Sequence, residues 1–198
     1  MRLFHAPGSR SDRVLWLCEE IGAPVDLVPA ALRQPTEELL ALNPGGTLPV
    51  LQLDDGGVIV ESVAAMLYLA NRYSARGLAV DPAEPGYADY LQFTVLGEAG
   101  LTAPLSGLIM TRARAPEEAD NFTTRVIADK VARQLALVER RLAGGAQFMA
   151  AGRFTVADIS IASALGVVDA YLQGRVPAQL LDYRARMLAR RQRTTGSI

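Results

Sequence analysis

The first third of the chain switches repeatedly between the strand pattern and the helix pattern of apolar residues. Arg2 to His5 predicts a short strand, which Ala6-Pro7-Gly8-Ser9 ends. Apolar residues between Val14 and Ile21 recur at helical spacing, and Gly22 stops that helix. The segments that follow predict a strand, a short helix, two strands and a helix: Val25–Val28, Pro35–Leu42, Pro49–Leu53, Val58–Val60 and Val63–Tyr73.

This order of elements, β-α-β-α-β-β-α, predicts a small mixed sheet with helices on its faces. Asp54-Asp55-Gly56-Gly57, between the last two strands, has the composition of a hairpin turn. The sheet should therefore combine a parallel βαβ start with an antiparallel hairpin.

The rest of the chain has only helical patterns. Tyr90 to Leu101 predicts a long helix that we expect to break near Pro104. Val131 to Leu142 carries an amphipathic stripe that ends at Gly144-Gly145. Thr155-Val156-Ala157-Asp158 has the form of a capping box that opens another helix.

Residues Ser74 to Gly86 are rich in Pro and Gly and have little periodicity, which indicates a linker. We therefore predict an α/β domain over residues 1–75, a linker over 76–86 and an all-helical domain over 87–198.

Composition narrows the class of protein. Of the 198 residues, 50% are hydrophobic, and the formal net charge is -1, which excludes disorder and argues against nucleic-acid binding. The single cysteine, Cys18, excludes a disulfide within the chain. We see neither an apolar run near the ~20 residues of a membrane span nor a signal peptide at Met1 to Val14. A soluble, cytoplasmic protein that binds no membrane and no nucleic acid is expected.

Three segments of the first domain carry candidate chemistry, beginning with Pro7 to Arg13 between a strand and a helix. The N–H groups of a helix start stabilise an anion, and the hydroxyls of Ser9 and Ser11 add donors there. The alternative is that Ser11 or Asp12 only caps the helix.

The other two segments lie next to predicted strands. At Thr47-Leu48-Pro49-Val50, a cis X-Pro bond would turn the Leu48 backbone outward to pair with a peptide ligand, whereas the alternative is a plain turn. At Glu61-Ser62 the helix start would hold a carboxylate and Glu61 an ammonium group, unless Ser62 is only an N-cap.

Taken together, these segments resemble the cytosolic glutathione transferases, in particular their serine-type, theta-like members. The matching stretches are Ser9–Glu20, Leu42–Leu51, Ile59–Ser62 and Phe154–Ile159. The resemblance implies a thioredoxin-like N-terminal domain that binds glutathione and an all-α C-terminal domain that shapes the second-substrate pocket. It also implies a homodimer and no metal.

The resemblance assigns roles by position. Ser9 is the hydroxyl expected to activate the glutathione sulfur, and Ser11 is the alternative if the loop is offset. The expected glutathione contacts are Gln34, Thr47, Leu48, Pro49, Glu61 and Ser62. The expected second-substrate pocket lies between the domains and includes Phe93, Gly97, Leu101 and Met110.

Other reactive residues are expected to have structural roles. His5, the single histidine, is expected to be an ordinary packed or edge-strand residue, and Cys18 a core residue. Asp158 is expected to be structural. The Arg-rich end, Arg190 to Ile198, departs from the family pattern and is expected to be frayed.

The predicted function is transfer of glutathione, as its thiolate, to a hydrophobic electrophile. Two alternatives stay open. One is glutathione-dependent disulfide reduction, ether cleavage or isomerisation on the same fold. The other is a non-catalytic binding or regulatory member.

Overall fold

Strand β1 (Arg2–His5) is central to a four-stranded sheet in the first part of the chain. It pairs in parallel with β2 (Asp26–Pro29) and antiparallel with β3 (Val50–Gln52). Strand β4 (Val58–Ile59) pairs antiparallel with β3, so the strand order is β2-β1-β3-β4. The turn before β4 is the hairpin that the Asp-Asp-Gly-Gly sequence predicts.

The structure, a computed structural model, describes residues 1–73, 75 and 77–195. The chain divides into two compact units. The first unit contains Met1–Ala79 and the chain end from Arg191, and the second contains Val80–Arg190.

Three helices accompany the sheet in the first unit. Helix α1 (Ser11–Ile21) ends at Gly22, whose positive φ of 64° supplies the left-handed turn predicted there. Helix α2 (Glu37–Leu42) is capped by Thr36, and helix α3 (Ser62–Arg72) packs against α1. The predicted order β-α-β-α-β-β-α is thus confirmed, with boundaries that differ by at most three residues.

The second unit is helical among its described residues. Helix α6 (Phe122–Ala143) is capped by the Asn121 side chain and ends at Gly144, as its apolar stripe predicts. The capping box at Thr155 is present at the start of α7 (Val156–Tyr171). The helices are α4 (Tyr87–Val95), α5 (Ala103–Arg114), α6 (Phe122–Ala143), α7 (Val156–Tyr171) and α8 (Ala178–Thr195), of which α8 belongs to this unit as far as Arg190.

The predicted helix break near Pro104 is wrong. A π-helical segment, Leu96–Thr102, joins α4 to α5, and Pro104 lies in the first turn of α5. Thr102 Oγ1 donates to the Gly97 carbonyl at 2.7 Å, so a side chain satisfies a backbone acceptor there. Proline is tolerated in a first helical turn, and the chain stays helical from Tyr87 to Arg114.

The same segment corrects a second expectation. Tyr87–Arg114, with 28 residues, is long and apolar enough by length and composition to cross a membrane, whereas we expected no such segment. It packs against α7, and Phe93, Leu101 and Leu105 are buried. Its apolar content is therefore accounted for by packing within the second unit.

The expectation of a frayed end is also corrected. Helix α8 continues through Thr195. Arginine, which is frequent in this segment, has a high helix propensity. Arg191 donates to both Glu19 carboxylate oxygens, at 2.8 and 3.3 Å, and lies over the Trp16 ring. The rest of that prediction, from Gly196 to Ile198, lies outside the described residues.

Candidate functional site

The start of α1 brings two serine hydroxyls into contact. Ser9 Oγ and Ser11 Oγ lie 2.5 Å apart, and the Ser11 N–H donates to Ser9 Oγ at 3.1 Å. Ser11 is fully buried, whereas Ser9 is half-buried. Ser9 is therefore the more exposed residue of the pair, and its hydroxyl contacts that of the buried Ser11.

Neither Ser11 nor Asp12 caps helix α1. The residue before the helix is Arg10, whose side chain makes no capping bond, and Ser11 is the first helical residue. Asp12 Oδ2 instead accepts the Gly8 N–H at 2.8 Å, and the Ser9 carbonyl accepts the Asp12 N–H at 3.1 Å. These bonds fix the loop that presents Ser9.

His5 lies against this serine pair, which the sequence analysis missed. Its Nδ1 lies 2.8 Å from Ser11 Oγ, and its Nε2 lies 3.8 Å from Asp12 Oδ1. The imidazole is mostly buried, with 15% of its side-chain surface exposed. The available signal was its position as the last residue of β1, directly before the loop that carries Ser9.

Asn43 organises the loop that leads into β3. Its Nδ2 donates to the Thr47 carbonyl and to Thr47 Oγ1, both at 3.0 Å, and its Oδ1 accepts the Gly45 N–H at 3.0 Å. The bond between Leu48 and Pro49 is cis. Leu48 is half-buried and precedes the β3 ladder, so its backbone lies beside the sheet without belonging to it. Asn43 lies within the matching stretch Leu42–Leu51, but that stretch does not by itself indicate that Asn43 organises the loop.

The start of helix α3 contains an unpaired buried hydroxyl. Ser62 is the first helical residue and is 2% exposed, and its Oγ has no hydrogen-bond partner among the described residues. Glu61 is the N-cap residue, its side chain makes no capping bond, and it is exposed. Ser62 is therefore not the N-cap, and its buried hydroxyl is left without a partner beside the exposed Glu61.

The remaining predicted site residues occupy different environments. Gln34 is exposed, in a turn between β2 and α2. In the second unit, Phe93, Gly97 and Leu101 are buried and Met110 is half-buried. At Gly97 the backbone of α7 approaches so closely that an added Cβ would lie 2.7 Å from the Ser160 carbonyl oxygen.

Cys18 and Asp158 are both buried away from solvent. Burial is the main cause that raises the pKa of Cys18 to about 12, and only 2% of the residue is exposed. Burial also raises the pKa of Asp158, although hydrogen bonds from Met149, Tyr183 and Thr155 oppose that shift. A neutral, enclosed thiol is a poor nucleophile.

Comparison with known families covers both units. The model for "Glutathione S-transferase, N-terminal domain" matches residues 3–77, and that for "Glutathione S-transferase, C-terminal domain" matches residues 61–187. The chain belongs to the glutathione S-transferase family. The predicted fold class, a thioredoxin-like domain followed by an all-α domain, is therefore confirmed.

Individual relatives agree with this assignment. Glutathione S-transferase 3 of Zea mays is 31% identical over 138 residues, 68% of this chain and 60% of the maize protein. A glutathione transferase structure from Methylococcus capsulatus matches 99% of this chain and 97% of its own, with a TM-score of 0.84 and 25% identity. A sphingomonad glutathione S-transferase complexed with glutathione matches 96% of this chain and 92% of its own, with a TM-score of 0.76 and 28% identity.

Proposed function

We propose that the chain is a glutathione transferase in which Ser9 activates the glutathione sulfur as a thiolate. The observation that carries the proposal is the half-buried Ser9 beside the start of α1, whose hydroxyl contacts that of the buried Ser11. This difference in burial favours Ser9 over Ser11 as the group that touches sulfur. Membership of the glutathione S-transferase family supports glutathione as the ligand.

One hydroxyl and a helix start can together supply the free energy needed to ionise the glutathione thiol at neutral pH. A free thiol with a pKa of ~8.5 is only about 3% thiolate at pH 7. Lowering that pKa by about two units requires about 2.7 kcal/mol. A hydroxyl that donates to an anion contributes roughly 1.5–3 kcal/mol, and a helix start adds about 0.3–1 kcal/mol. No metal or protein thiolate is needed for this step.

The start of α3 is the proposed site for the γ-glutamyl end of glutathione. The unpaired Ser62 Oγ and its N–H would donate to the ligand carboxylate, and Glu61 would accept from the ligand ammonium group. Pairing the buried Ser62 hydroxyl would remove the cost of leaving it unsatisfied, about 1–3 kcal/mol. Because both residues have free polar groups, this helix start fits a zwitterionic end better than a simple anion.

The loop organised by Asn43 is the proposed site for the cysteinyl backbone. Leu48, beside Pro49, would pair its N–H and C=O with the peptide, as an added strand does. Thr47 and Gln34 are the proposed peripheral contacts, and both are exposed.

The proposed second substrate is a hydrophobic electrophile. Phe93, Gly97, Leu101 and Met110 are the residues assigned to its pocket, and three of them have apolar side chains suited to such a ligand. We further propose a cytoplasmic homodimer, as in the cytosolic members that the sequence resembles.

Ser9→Ala tests the proposed function, with Ser9→Thr as the matched variant that keeps a hydroxyl. For Ser9→Ala we expect about a 10- to 100-fold lower rate of chloronitrobenzene conjugation. We also expect loss of the thiolate band from ultraviolet difference spectra of the glutathione complex. Ser9→Thr should restore part of both signals. Full conjugation and an unchanged thiolate band in Ser9→Ala would refute the role of Ser9.

Binding is tested separately from chemistry. Ser62→Ala and Glu61→Gln should weaken glutathione binding by calorimetry, by about 5- to 30-fold for each variant. Failure of the wild-type protein to bind glutathione-agarose or free glutathione would instead identify a non-catalytic member of the family.

A further inference from the structure

We infer that His5 receives the proton of the glutathione thiol through a relay of Ser11 and Ser9. The inference rests on the proposed function, in which Ser9 touches the sulfur. His5 itself touches neither the sulfur nor the ligand, and acts only through the two serines.

The relay is a continuous series of short contacts inside the first unit. Ser9 Oγ lies 2.5 Å from Ser11 Oγ, which lies 2.8 Å from His5 Nδ1. Ser11 is fully buried, so water does not compete for its hydroxyl. The outer end of the series is the half-exposed Ser9, and the inner end is an imidazole with 15% exposure.

Counting donors and acceptors defines the state before proton transfer. The Ser11 Oγ accepts the Ala6 N–H at 3.3 Å, and the Ser9 Oγ accepts the Ser11 N–H at 3.1 Å. With a neutral His5 that carries its proton on Nε2, Ser11 donates to Nδ1 and Ser9 donates to Ser11. The remaining lone pair of Ser9 then faces outward and accepts the thiol S–H.

Transfer reverses every hydrogen bond in the series. The S–H bond breaks, its proton joins Ser9, the Ser9 proton passes to Ser11, and the Ser11 proton forms the Nδ1–H bond. A neutral thiol and a neutral imidazole become a thiolate and an imidazolium, so atoms and charge balance. In the product state both hydroxyls again have their lone pairs occupied, and the Ser9 O–H donates to the thiolate.

Asp12 stabilises the charged end of the relay. Its Oδ1 lies 3.8 Å from His5 Nε2, so it favours a proton on that nitrogen before transfer and the imidazolium after it. The Ala6 carbonyl is a competing acceptor for the Ser11 hydroxyl, but its distance of 3.3 Å is longer than those to His5 and Ser9. The shorter contacts therefore favour the relay.

Nuclear magnetic resonance of the imidazole tests the inference without any substitution. His5 is the single histidine, so isotope-labelled histidine gives the signals of one ring. In the free protein at neutral pH we expect a neutral ring protonated on Nε2. Saturating glutathione should convert it to an imidazolium, whereas S-methylglutathione, which has no thiol proton, should leave it neutral.

Three results would overturn the relay: an imidazolium in the free protein, a ring that glutathione leaves unchanged, and equal protonation by both ligands. The thiolate band in the ultraviolet difference spectrum tests the proposed function separately. If that band is present and depends on Ser9 while the ring stays neutral, only the relay is wrong. If the wild-type complex has no thiolate band, the proposed function is wrong as well.

Variants of His5 supply a kinetic test. His5→Leu removes the inner acceptor and should lower kcat about 3- to 10-fold, with a KM for glutathione within about twofold of the wild-type value. Leucine should also decrease the thiolate band. The amide oxygen of asparagine can accept the Ser11 O–H near the position of Nδ1, so His5→Asn should still orient the serines but should not take up a proton. Equal kcat and thiolate bands in wild type and His5→Leu would contradict the relay.

Discussion

Replacing Asp158 with alanine should destabilise the second unit strongly. The Asp158 carboxylate is fully buried and accepts the Met149 N–H at 2.9 Å, the Thr155 N–H at 2.9 Å and the Tyr183 O–H at 2.7 Å. It thus joins the segment before α7, the start of α7 and helix α8. Alanine leaves these donors without their acceptor.

The expected size of the loss follows from these contacts. A buried donor left unpaired costs about 1–3 kcal/mol, and a lost helix cap costs about 1 kcal/mol. Because water entering the space that alanine leaves would offset part of the sum, we expect the free energy of unfolding to fall by about 4 kcal/mol. Total domain stability is typically ~5–15 kcal/mol, so this is a large share of it.

Urea unfolding monitored by two probes separates the units. Far-ultraviolet circular dichroism mainly reports the helical second unit, whereas Trp16, the single tryptophan, reports the first unit. Asp158→Ala should shift the dichroism transition to lower urea. A double-mutant cycle with Tyr183→Phe should give a coupling of about 1–2 kcal/mol. A loss below about 1 kcal/mol for Asp158→Ala would refute this account of the buried carboxylate.

Three further perturbations have distinct expected outcomes. Gly97→Ala should lower the urea midpoint by the equivalent of about 1–3 kcal/mol, because its Cβ would lie 2.7 Å from a backbone oxygen of α7. Gly107→Ala, whose nearest atom is a side-chain carbon at 3.6 Å, should leave the midpoint unchanged or raise it, and equal effects would contradict the packing argument. Burial raises the pKa of Cys18 to about 12, so the native protein should not react with a disulfide reagent at neutral pH, and rapid labelling would be inconsistent with a buried thiol. Hydrogen bonds from Arg153 lower the pKa of Glu84, so the pair's stabilisation is present at neutral pH and is lost as pH falls through that lowered value. Thermal midpoints of Glu84→Gln and wild type should therefore differ at neutral pH and converge in acid, below the lowered pKa of Glu84, and a constant difference would contradict this linkage.

The parts of the fold that sequence predicted are those with local chemical signals. Gly22 ends α1 because its φ is positive, and the Thr155 capping box opens α7 through its own side chains. The continuity of the helix past Pro104 has no such local signal. It coincides with the π-helical segment, where Thr102 satisfies the Gly97 carbonyl and which packs against α7.

In the candidate site, too, some features have a local sequence signal and others do not. The sequence predicts Ser9 as the activating hydroxyl and keeps Ser11 as an alternative, because both lie in one loop; in the structure the two residues differ in burial. The contact between His5 and Ser11 depends on how that loop folds back onto the end of β1. The position of His5 directly before that loop is compatible with the contact but does not by itself predict it.

The two edge strands of the sheet offer few free backbone groups, and this affects how the protein aggregates. Strand β4 has only two residues, and β2 ends at Pro29, which has no N–H to offer a neighbouring strand. An incoming strand from another copy would find few free backbone groups at either edge. We therefore expect the first unit to resist amyloid-like, strand-to-strand aggregation even at the high concentrations used for spectroscopy.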